Sequence, residues 1–341
     1  MRSHSCRVVP LVVIGVVFLL LLGCGGNAEQ ARVQGPPQRS AWLAYWDIAA
    51  GEKDLQEYEN GLHKLVYFAA YFNKEDHLFM PQELVAARNA LEKKRYDAYL
   101  SFVNDVQLAD GASAFKDLEV LRRVLRDDKA RAQHADEVIG LAVKGRFQGV
   151  EIDYERVWKD EEVAALFVKF VEVLQEKAME KKLKLRVVLE PSAPFGTAKL
   201  VAGPEYVVMM YNLYGLHSGS GPKANGEFIR KVLKKMERLP GDSSVAIATG
   251  GCLWSDKGER RFVSQEEAEL LARIYGVTPS RDTDSGCLVF SFGVNGGKTE
   301  VWYADVETLN QWQQTAKECG YNNISVWRLG GNRELGQLKK Q

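Results

Sequence analysis

The sequence contains few cysteines and histidines and has no excess of either charge. Its 341 residues include five cysteines and five histidines, and 45 basic residues balance 45 acidic ones. A net charge of zero provides no basic field for nucleic acid, so we do not expect nucleic acid as a partner. No CxxC pair occurs, and the histidines are scattered. We therefore expect no metal, no cofactor and no disulfide framework, although one disulfide stays open for an exported chain.

Apolar residues form one long run near the N-terminus, residues 8–22. Arg2 and Arg7 precede the run, which is short for a membrane span, and it ends in Leu-Leu-Gly-Cys at residues 21–24. Basic, apolar and small-residue regions in this order are typical of an export signal.

The Leu-Leu-Gly-Cys ending resembles a bacterial lipobox, which implies cleavage before Cys24 and attachment of a lipid to its thiol. We expect residues 1–23 to be a lipoprotein signal peptide and residues 24–40, rich in Gly, Pro and Gln, to be a tether. The chain would then be exported and lipid-anchored to the bacterial cell envelope. An uncleaved signal anchor is the alternative.

Strand-like and helix-like segments alternate over residues 41–335. The predicted strands cover residues 41–47, 63–72, 95–105, 147–155, 183–191, 205–212, 244–254 and 324–330. The predicted helices cover residues 81–94, 115–126, 128–144, 161–180, 227–238, 264–275 and 306–319. A hairpin over residues 287–305 would turn at Asn-Gly-Gly.

Eight nearly continuous apolar strands alternating with helices indicate a parallel sheet that is covered on both faces. We predict a closed (β/α)8 barrel with a small β-hairpin insertion between strand 7 and the last helix, acting as a monomer. An open doubly wound sheet is the alternative, but no Gly-rich phosphate loop follows the first strand. A barrel of this kind forms its active site at the C-terminal ends of the strands.

The fourth predicted strand, FQGVEIDYE, carries Glu151, Asp153 and Glu155 at alternate positions. Side chains alternate along a strand, so these carboxylates share one face at intervals of about 6 to 7 Å. Buried like charges lower stability, and such a row therefore indicates a functional site. A solvated edge strand is the alternative, but apolar residues on the opposite face favour a central strand.

Other polar and aromatic residues also fall at the predicted strand ends. They include Tyr45, Trp46, Asp47, Tyr71, Asn104, Glu190, Tyr211, Asn212, Trp254 and Trp327. Carboxylates beside aromatic rings indicate a sugar site, because flat rings stack on pyranose faces and carboxylic acids cleave glycosidic bonds. Trp46 and Trp254 fit the core equally well.

The fourth strand resembles the signature of glycoside hydrolase family 18, the chitinase-like family, which is Asp-Gly-x-Asp-x-Asp-x-Glu. Residues 148–155 read QGVEIDYE, so Asp153 and Glu155 match the last two acids, whereas Gln148 and Glu151 replace the two earlier aspartates.

Two further matches occur in the expected order. The family's Met-x-Tyr-Asp motif on strand six is present as MMYN at residues 209–212, and its tryptophan on strand eight is present as Trp327. The resemblance covers most of residues 41–335 and is closest to the bacterial branch of spore-cortex and cell-wall hydrolases.

The resemblance implies a substrate-assisted retaining mechanism. Glu155 would protonate the glycosidic oxygen, Asp153 would orient the 2-acetamido group of the sugar, Tyr211 would hydrogen-bond to that group, and Trp327 would pack beneath it. Further substrate contacts are expected from Asn212, Glu151, Tyr45 and Asn104. The implied substrate is an N-acetylhexosamine polysaccharide, with peptidoglycan favoured over chitin-type oligomers.

The chain departs from the family pattern at several positions. Glu151 is longer than the usual aspartate, Asn212 carries no negative charge, and Ser101 lacks the following Gly-Gly. Glu190 has no family role and is interpreted as either a loop carboxylate or a site residue, whereas the histidines are interpreted as surface residues. A catalytically silent glycan-binding barrel and a metal hydrolase remain as alternatives.

Overall fold

A computed structural model describes residues 36–92, 94–108, 112–294 and 296–338. The predicted signal peptide, Cys24 and most of the predicted tether lie outside these residues. Within the described part of the chain, no helix has the length and apolar character needed to cross a membrane.

Fifteen strands are described, and most of them coincide with the predicted apolar segments. In chain order they are β1 (Arg39–Ala44), β2 (Lys64–Asn73), β3 (Leu78–Phe79), β4 (Asp97–Gln107), β5 (Ser113–Ala114), β6 (Gly149–Asp153), β7 (Lys184–Leu189), β8 (Glu205–Met209), β9 (Ser243–Ala248), β10 (Gly251–Ser255), β11 (Arg260–Val263), β12 (Ser280–Arg281), β13 (Leu288–Val294), β14 (Gly297–Tyr303) and β15 (Ile324–Trp327).

Eight of these strands form a closed parallel barrel, as the sequence predicts. Neighbours pair in the order β1, β2, β4, β6, β7, β8, β9 and β15, and β15 pairs with β1 to close the ring. The short strands β3 and β5 add antiparallel extensions to β2 and β4.

Eight α-helices are described, and seven of them confirm predicted helices. They are α1 (Ile48–Tyr58), α2 (Gln82–Ala90), α3 (Leu118–Leu125), α4 (Asp128–Lys144), α5 (Glu161–Glu180), α6 (Gly226–Met236), α7 (Gln265–Ile274) and α8 (Val306–Glu318). Helix α1 was not predicted. It contains Gly51, which lowers helix propensity, and the side chain of its N-cap residue, Asp47, makes no capping hydrogen bond.

The alternation of side chains along β6 separates a polar inner face from an apolar outer face. Val150 and Ile152 pack in the large core between the barrel and its helices. Glu151 and Asp153 occupy the positions between them and face the barrel interior, where aromatic and aliphatic side chains such as Trp42 form a smaller core. The predicted central strand with carboxylates on one face is therefore confirmed.

The insertion after β9 is larger than the predicted small hairpin. Residues 244–254 do not form one strand, because the chain turns at Thr249 and Gly250 between β9 and β10. Gly250 has φ +59°, and an added Cβ would lie 2.5 Å from the carbonyl oxygen of Val263, so the turn favours glycine. The predicted hairpin is present as β13 and β14, but it belongs to a five-stranded antiparallel sheet in the order β11, β10, β14, β13, β12.

Regular structure begins inside the segment that was predicted to be a tether. Arg39 starts β1 and is buried, with its backbone N–H donating to Nδ1 of His63 (3.1 Å) and its Nε donating to the Tyr58 hydroxyl (3.2 Å). At the other end, Leu338 is buried as well. The folded region therefore extends slightly beyond the predicted limits of 41 and 335.

Candidate active site

The three carboxylates of the β6 segment are increasingly exposed to solvent along the chain. Glu151 is completely buried, Asp153 is 7% exposed, and the Glu155 side chain, two residues beyond the strand, is 17% exposed. The row therefore opens towards solvent at its C-terminal end. This is the end of a parallel barrel at which active sites form.

Glu151 is enclosed by polar groups inside the barrel. Nε1 of Trp42 donates to one of its oxygens at 2.6 Å, and Nε of Arg186 lies 3.3 Å from the other. Burial raises the pKa of Glu151, while the Arg186 charge and the Trp42 hydrogen bond oppose this rise. Because the side chain has no exposed surface, the expected direct contact between Glu151 and substrate does not fit this position.

Arg186 is the centre of a buried ionic cluster beneath the site. Its Nη2 donates to Ser325 Oγ at 3.1 Å, and its Nε lies 3.8 Å from Glu205, which also pairs with Lys64 at 2.5 Å. Although burial alone would raise the pKa of Glu205, these two cations lower it to about 2. The cluster balances charge in the barrel interior, where an unpaired ion would be costly.

Asp153 lies between the other two carboxylates and is strongly affected by them. Burial raises its pKa well above the ordinary value for aspartate, and the negative charges of Glu155 and Glu151 raise it further. Its Oδ1 is buried and has no hydrogen-bond partner among the residues that the structure describes. A buried carboxyl oxygen without a partner at the open end of a barrel is a candidate for binding a ligand.

The backbone of Glu155 is held by the side chain of Asn104. The Asn104 Oδ1 accepts a hydrogen bond from the Glu155 N–H at 2.9 Å, and its Nδ2 donates to the Glu155 carbonyl oxygen at 3.2 Å. Nδ2 also donates to the carbonyl oxygen of Asp117. Asn104 is 1% exposed. The expected substrate contact of Asn104 stays a prediction, since in this structure its amide is buried and bonded to backbone groups.

Lys116 forms an ion pair with Oε2 of Glu155. Burial raises the pKa of Glu155, while the Lys116 charge and hydrogen bond lower it. This lysine was not predicted as a site residue, because it lies in the short segment between β5 and α3 with no local motif to mark it.

Glu190 is a further charged group near Glu155, and the sequence did not decide between a loop carboxylate and a site residue. It follows β7, and its Oε2 accepts a hydrogen bond from the backbone N–H of Arg156 at 2.9 Å. Its negative charge also raises the pKa of Glu155. Of the two interpretations of Glu190, the structure favours that of a site residue.

Tyr211 and Asn212 follow β8 at the same end of the barrel. Burial raises the pKa of Tyr211 well above its ordinary value, and the nearby charges of Asp153, Glu155 and Glu151 add to this effect. The hydroxyl therefore keeps its proton and can donate a hydrogen bond at neutral pH. Asn212 is exposed and has φ +66°, in the left-handed region that asparagine tolerates better than most residues.

Aromatic rings line the barrel mouth near the carboxylates. The half-buried Trp327 ring packs edge-on against Trp42 and Phe68, with centroid distances of 5.7 and 4.6 Å. Tyr45 is half-buried and packs against Tyr71 at 5.6 Å. The predicted positions of Trp327 and Tyr45 at the mouth of the barrel are consistent with stacking against a sugar.

The two tryptophans that sequence left undecided have different environments. Trp46 is 49% exposed and packs against Phe68 at the rim. Trp254 is buried in the insertion, where its Nε1 donates to the carbonyl oxygen of Gly215 at 3.2 Å. Trp46 is therefore available to a ligand, whereas Trp254 is a structural residue.

One histidine differs from the expected surface position. His134 on α4 is 2% exposed, and its Nε2 shares a 2.7 Å hydrogen bond with the hydroxyl of Tyr154 on the outer side of the β6 segment. Its ring stacks on Phe72 at 5.4 Å, and burial lowers its pKa. The prediction of a surface residue is wrong for His134, because α4 packs this face against the barrel.

The cysteines in the described part of the chain are free thiols, with Cys252 and Cys287 buried and Cys319 exposed. Among the described residues, no group of three or more His, Cys, Asp and Glu side chains has an arrangement that could hold a metal ion.

Comparison with known proteins relates this geometry to a group of glycan-cleaving barrels. No known family profile matches the chain. An uncharacterized glycosylase of Bacillus subtilis (strain 168), YvbX, is 24% identical over 234 residues, which are 64% of this chain and 67% of that protein.

Two solved structures share most of the fold. The spore cortex-lytic enzyme SleL of Bacillus cereus has a TM-score of 0.75 at 19% identity, covering 89% of this chain and 74% of that chain. A mutant class V chitinase of Nicotiana tobaccum, in complex with NAG4, has a TM-score of 0.72 at 13% identity, covering 89% and 97%. The sequence predicted a resemblance to the chitinase-like barrels of glycoside hydrolase family 18. The fold of this chain confirms that resemblance.

Proposed function

We propose that this protein is a glycoside hydrolase that cleaves β-1,4 bonds following N-acetylglucosamine in cell-wall glycan. The observation that carries this proposal is the pair of Asp153 and Glu155. Both lie at the C-terminal end of β6, at the open end of the barrel, and burial raises the pKa of each. Burial thus shifts both pKa values in the direction that favours a protonated carboxylic acid, the form that donates a proton to a glycosidic oxygen.

The residues around this pair suit a mechanism in which the substrate supplies the nucleophile. Glu155 donates its proton to the glycosidic oxygen as the bond from that oxygen to the anomeric carbon breaks. The carbonyl oxygen of the 2-acetamido group then bonds to the anomeric carbon and forms an oxazolinium ion. Water opens this ring while Glu155 takes a proton back, so the product keeps the anomeric configuration.

Asp153 and Tyr211 have the positions and chemistry to act on the acetamido group. The unsatisfied Oδ1 of Asp153 can accept a hydrogen bond from the acetamido N–H, and in its ionised form the carboxylate stabilises the positive charge of the oxazolinium ion. The protonated Tyr211 hydroxyl can donate to the acetamido oxygen. Asn212 is exposed beside Tyr211 and is proposed to bind an outer part of the glycan.

Peptidoglycan is the favoured substrate, and chitin-type oligomers come next. Among the neighbours in fold, SleL is a spore cortex-lytic enzyme, whereas the tobacco protein is a chitinase bound to NAG4. The first of these supports a cell-wall glycan, as does the proposed anchoring of the chain at the envelope. Both glycans carry the 2-acetamido group that the mechanism requires.

The experiment incubates the purified protein with peptidoglycan and, separately, with chitin oligomers, and identifies the products by mass spectrometry. We expect a new reducing end at N-acetylglucosamine, and Glu155→Gln should abolish its formation. Binding without cleavage of either glycan would contradict the proposed hydrolase activity and support a glycan-binding barrel.

Export and lipid attachment at Cys24 are part of the proposal. They are supported by the order of basic, apolar and small residues before Cys24. A single lipid-modified N-terminus followed by a short tether would keep the barrel at the membrane surface, within reach of the cell wall.

A further inference from the structure

An ammonium group contacts the carboxylate that the proposed mechanism uses as an acid. Nζ of Lys116 is ion-paired with Oε2 of Glu155, and the lysine side chain remains about one-third exposed, at 34%. A positive charge beside a carboxyl group favours its ionised form, and the ionised form has no proton to donate. The contact therefore requires an explanation within the reaction.

The backbone of Lys116 is fixed in place by the end of β4. The Lys116 N–H donates to Oδ1 of Asp105 at 2.7 Å, and the next N–H, of Asp117, donates to the carbonyl oxygen of Asn104 at 2.8 Å. Lys116 itself has φ +56°, and Asp117 caps α3 through the N–H groups of Glu119 and Val120. Because the backbone is held on both sides, only the flexible lysine side chain is free to move away from Glu155.

Among the described residues, the other ionisable groups that interact electrostatically with Glu155 are acidic or neutral. These groups are Asp153 on β6, Asp105 on β4, Glu190 after β7 and Tyr211 after β8. Arg156, the residue after Glu155, has an exposed side chain whose charge acts on Asp105. Among the described residues, Lys116 is the cation that is ion-paired with Glu155. Removing its charge should therefore raise the pKa of Glu155.

We propose that Lys116 is a positioning residue for this acid: its ammonium group holds Glu155 as an ion-paired carboxylate in the free protein and turns away from Oε2 when a glycan binds. Glu155 then takes up a proton from solvent and donates it to the glycosidic oxygen. The inference rests on the proposed function, since it assigns Lys116 a role in the same reaction.

The first experiment compares Lys116→Met, which removes the charge but keeps an unbranched side chain, with Lys116→Arg, which keeps the charge. Lys129→Met is the control, since Lys129 is an exposed lysine on α4 and its loss changes the net charge equally. The pH dependence of kcat/KM reports the free enzyme. Without the Lys116 charge Glu155 keeps its proton to higher pH, so the alkaline limb should move upward in Lys116→Met and stay in place in the other two variants.

The second measurement needs no activity. The carboxyl carbon of Glu155 is followed by ¹³C NMR during a pH titration of the substrate-free protein, with the resonance assigned from its absence in Glu155→Gln. The midpoint should rise in Lys116→Met and remain unchanged in Lys129→Met. An unchanged midpoint in Lys116→Met, or an equal rise in the control, would overturn the inference.

A crystal structure of the Asp153→Asn protein with a bound chitin oligomer or muropeptide tests the movement of the lysine. Nζ should lie beyond about 4 Å from the Glu155 carboxylate, outside ion-pair distance. A lysine still on Oε2 beside a bound glycan would overturn the proposal.

The combined results separate the two proposals. If neither glycan is cleaved at any pH but the NMR midpoint rises in Lys116→Met, the proposed hydrolase is wrong and the control of Glu155 by Lys116 stands. If glycan is cleaved and the alkaline limb does not move, the proposed function stands and the role of Lys116 is wrong.

Discussion

Asn104 and Glu155 exchange two hydrogen bonds, through which a side chain at the end of β4 fixes the backbone beyond the end of β6. The amide oxygen accepts from the Glu155 N–H at 2.9 Å, and the amide nitrogen donates to the Glu155 carbonyl oxygen at 3.2 Å. The backbone that carries the Glu155 carboxyl group is thus held by a side chain that is itself buried.

Asn104→Ala should lower kcat by about 100-fold and change KM little, because misplacement of a catalytic group by about 1 Å has an effect of this size. Steady-state kinetics on the cleaved glycan measures both constants. Asn89→Ala, at an exposed position on α2, is the control and should behave like the unmodified protein. A loss confined to KM would indicate that Asn104 binds substrate after all.

Tyr211→Phe should lower kcat by about 100- to 1,000-fold, the range found when one hydrogen-bond donor to a developing charge is removed. The ring remains, so the fold should be preserved, and circular dichroism checks this. Kinetics on an N-acetylglucosamine oligomer gives the rate. An unchanged rate would show that the Tyr211 hydroxyl does not act on the acetamido group.

Arg186→Met should lower the free energy of unfolding by about 3 to 5 kcal/mol, because it leaves Glu151 and Glu205 as buried charges with less compensation. Urea denaturation measures the change. The control is Arg230→Met, which removes an exposed pair with Glu318 and should cost at most about 1 kcal/mol. Equal losses of unfolding free energy in the two variants would contradict a stabilising role for the buried ion pairs of Arg186.

Asp54→Asn should make stability less dependent on pH. Burial raises the pKa of Asp54 from 3.8 to about 6, although the hydrogen bond from the Gly330 N–H opposes this. The folded state therefore binds this proton more tightly than the unfolded chain, and stability present below pH 3.8 is lost as the pH rises through about 6.

The variant keeps an oxygen acceptor for Gly330 but does not titrate. Between about pH 4 and 7 it should lose less stability than the unmodified protein, by up to about 3 kcal/mol, since one pKa unit corresponds to about 1.4 kcal/mol. Urea unfolding at both pH values measures the difference. Asp284→Asn, at an exposed aspartate, is the control, and the same pH dependence in both variants would contradict the assignment.

Cys24→Ser should release the protein from the membrane fraction, because the hydroxyl group of serine cannot accept the lipid through a thioether. Fractionation of cells that express each form, followed by immunoblotting, measures the distribution. Membrane association that persists in Cys24→Ser would contradict lipid attachment and favour an uncleaved signal anchor.

The barrel and its central acids could be predicted from the amino-acid sequence alone. Eight apolar strand segments alternating with helical ones indicate a covered parallel sheet, and the two-residue period of a strand puts Glu151 and Asp153 on one face, with Glu155 two residues beyond the strand. The order of the motifs around Asp153, Tyr211 and Trp327 then assigned the segments to particular barrel strands. These features follow from local periodicity, which is readable in the chain.

The environment of those acids could not be predicted in this way, because it depends on contacts made in the folded barrel. It brought Arg186 against Glu151 and Lys116 against Glu155, turned Asn104 towards the backbone of Glu155, and buried His134 behind β6. Each contact joins residues that are distant in sequence, and no local pattern distinguishes these residues from other polar side chains. The physical reason is that burial and charge pairing depend on which strands and loops become neighbours when the barrel closes.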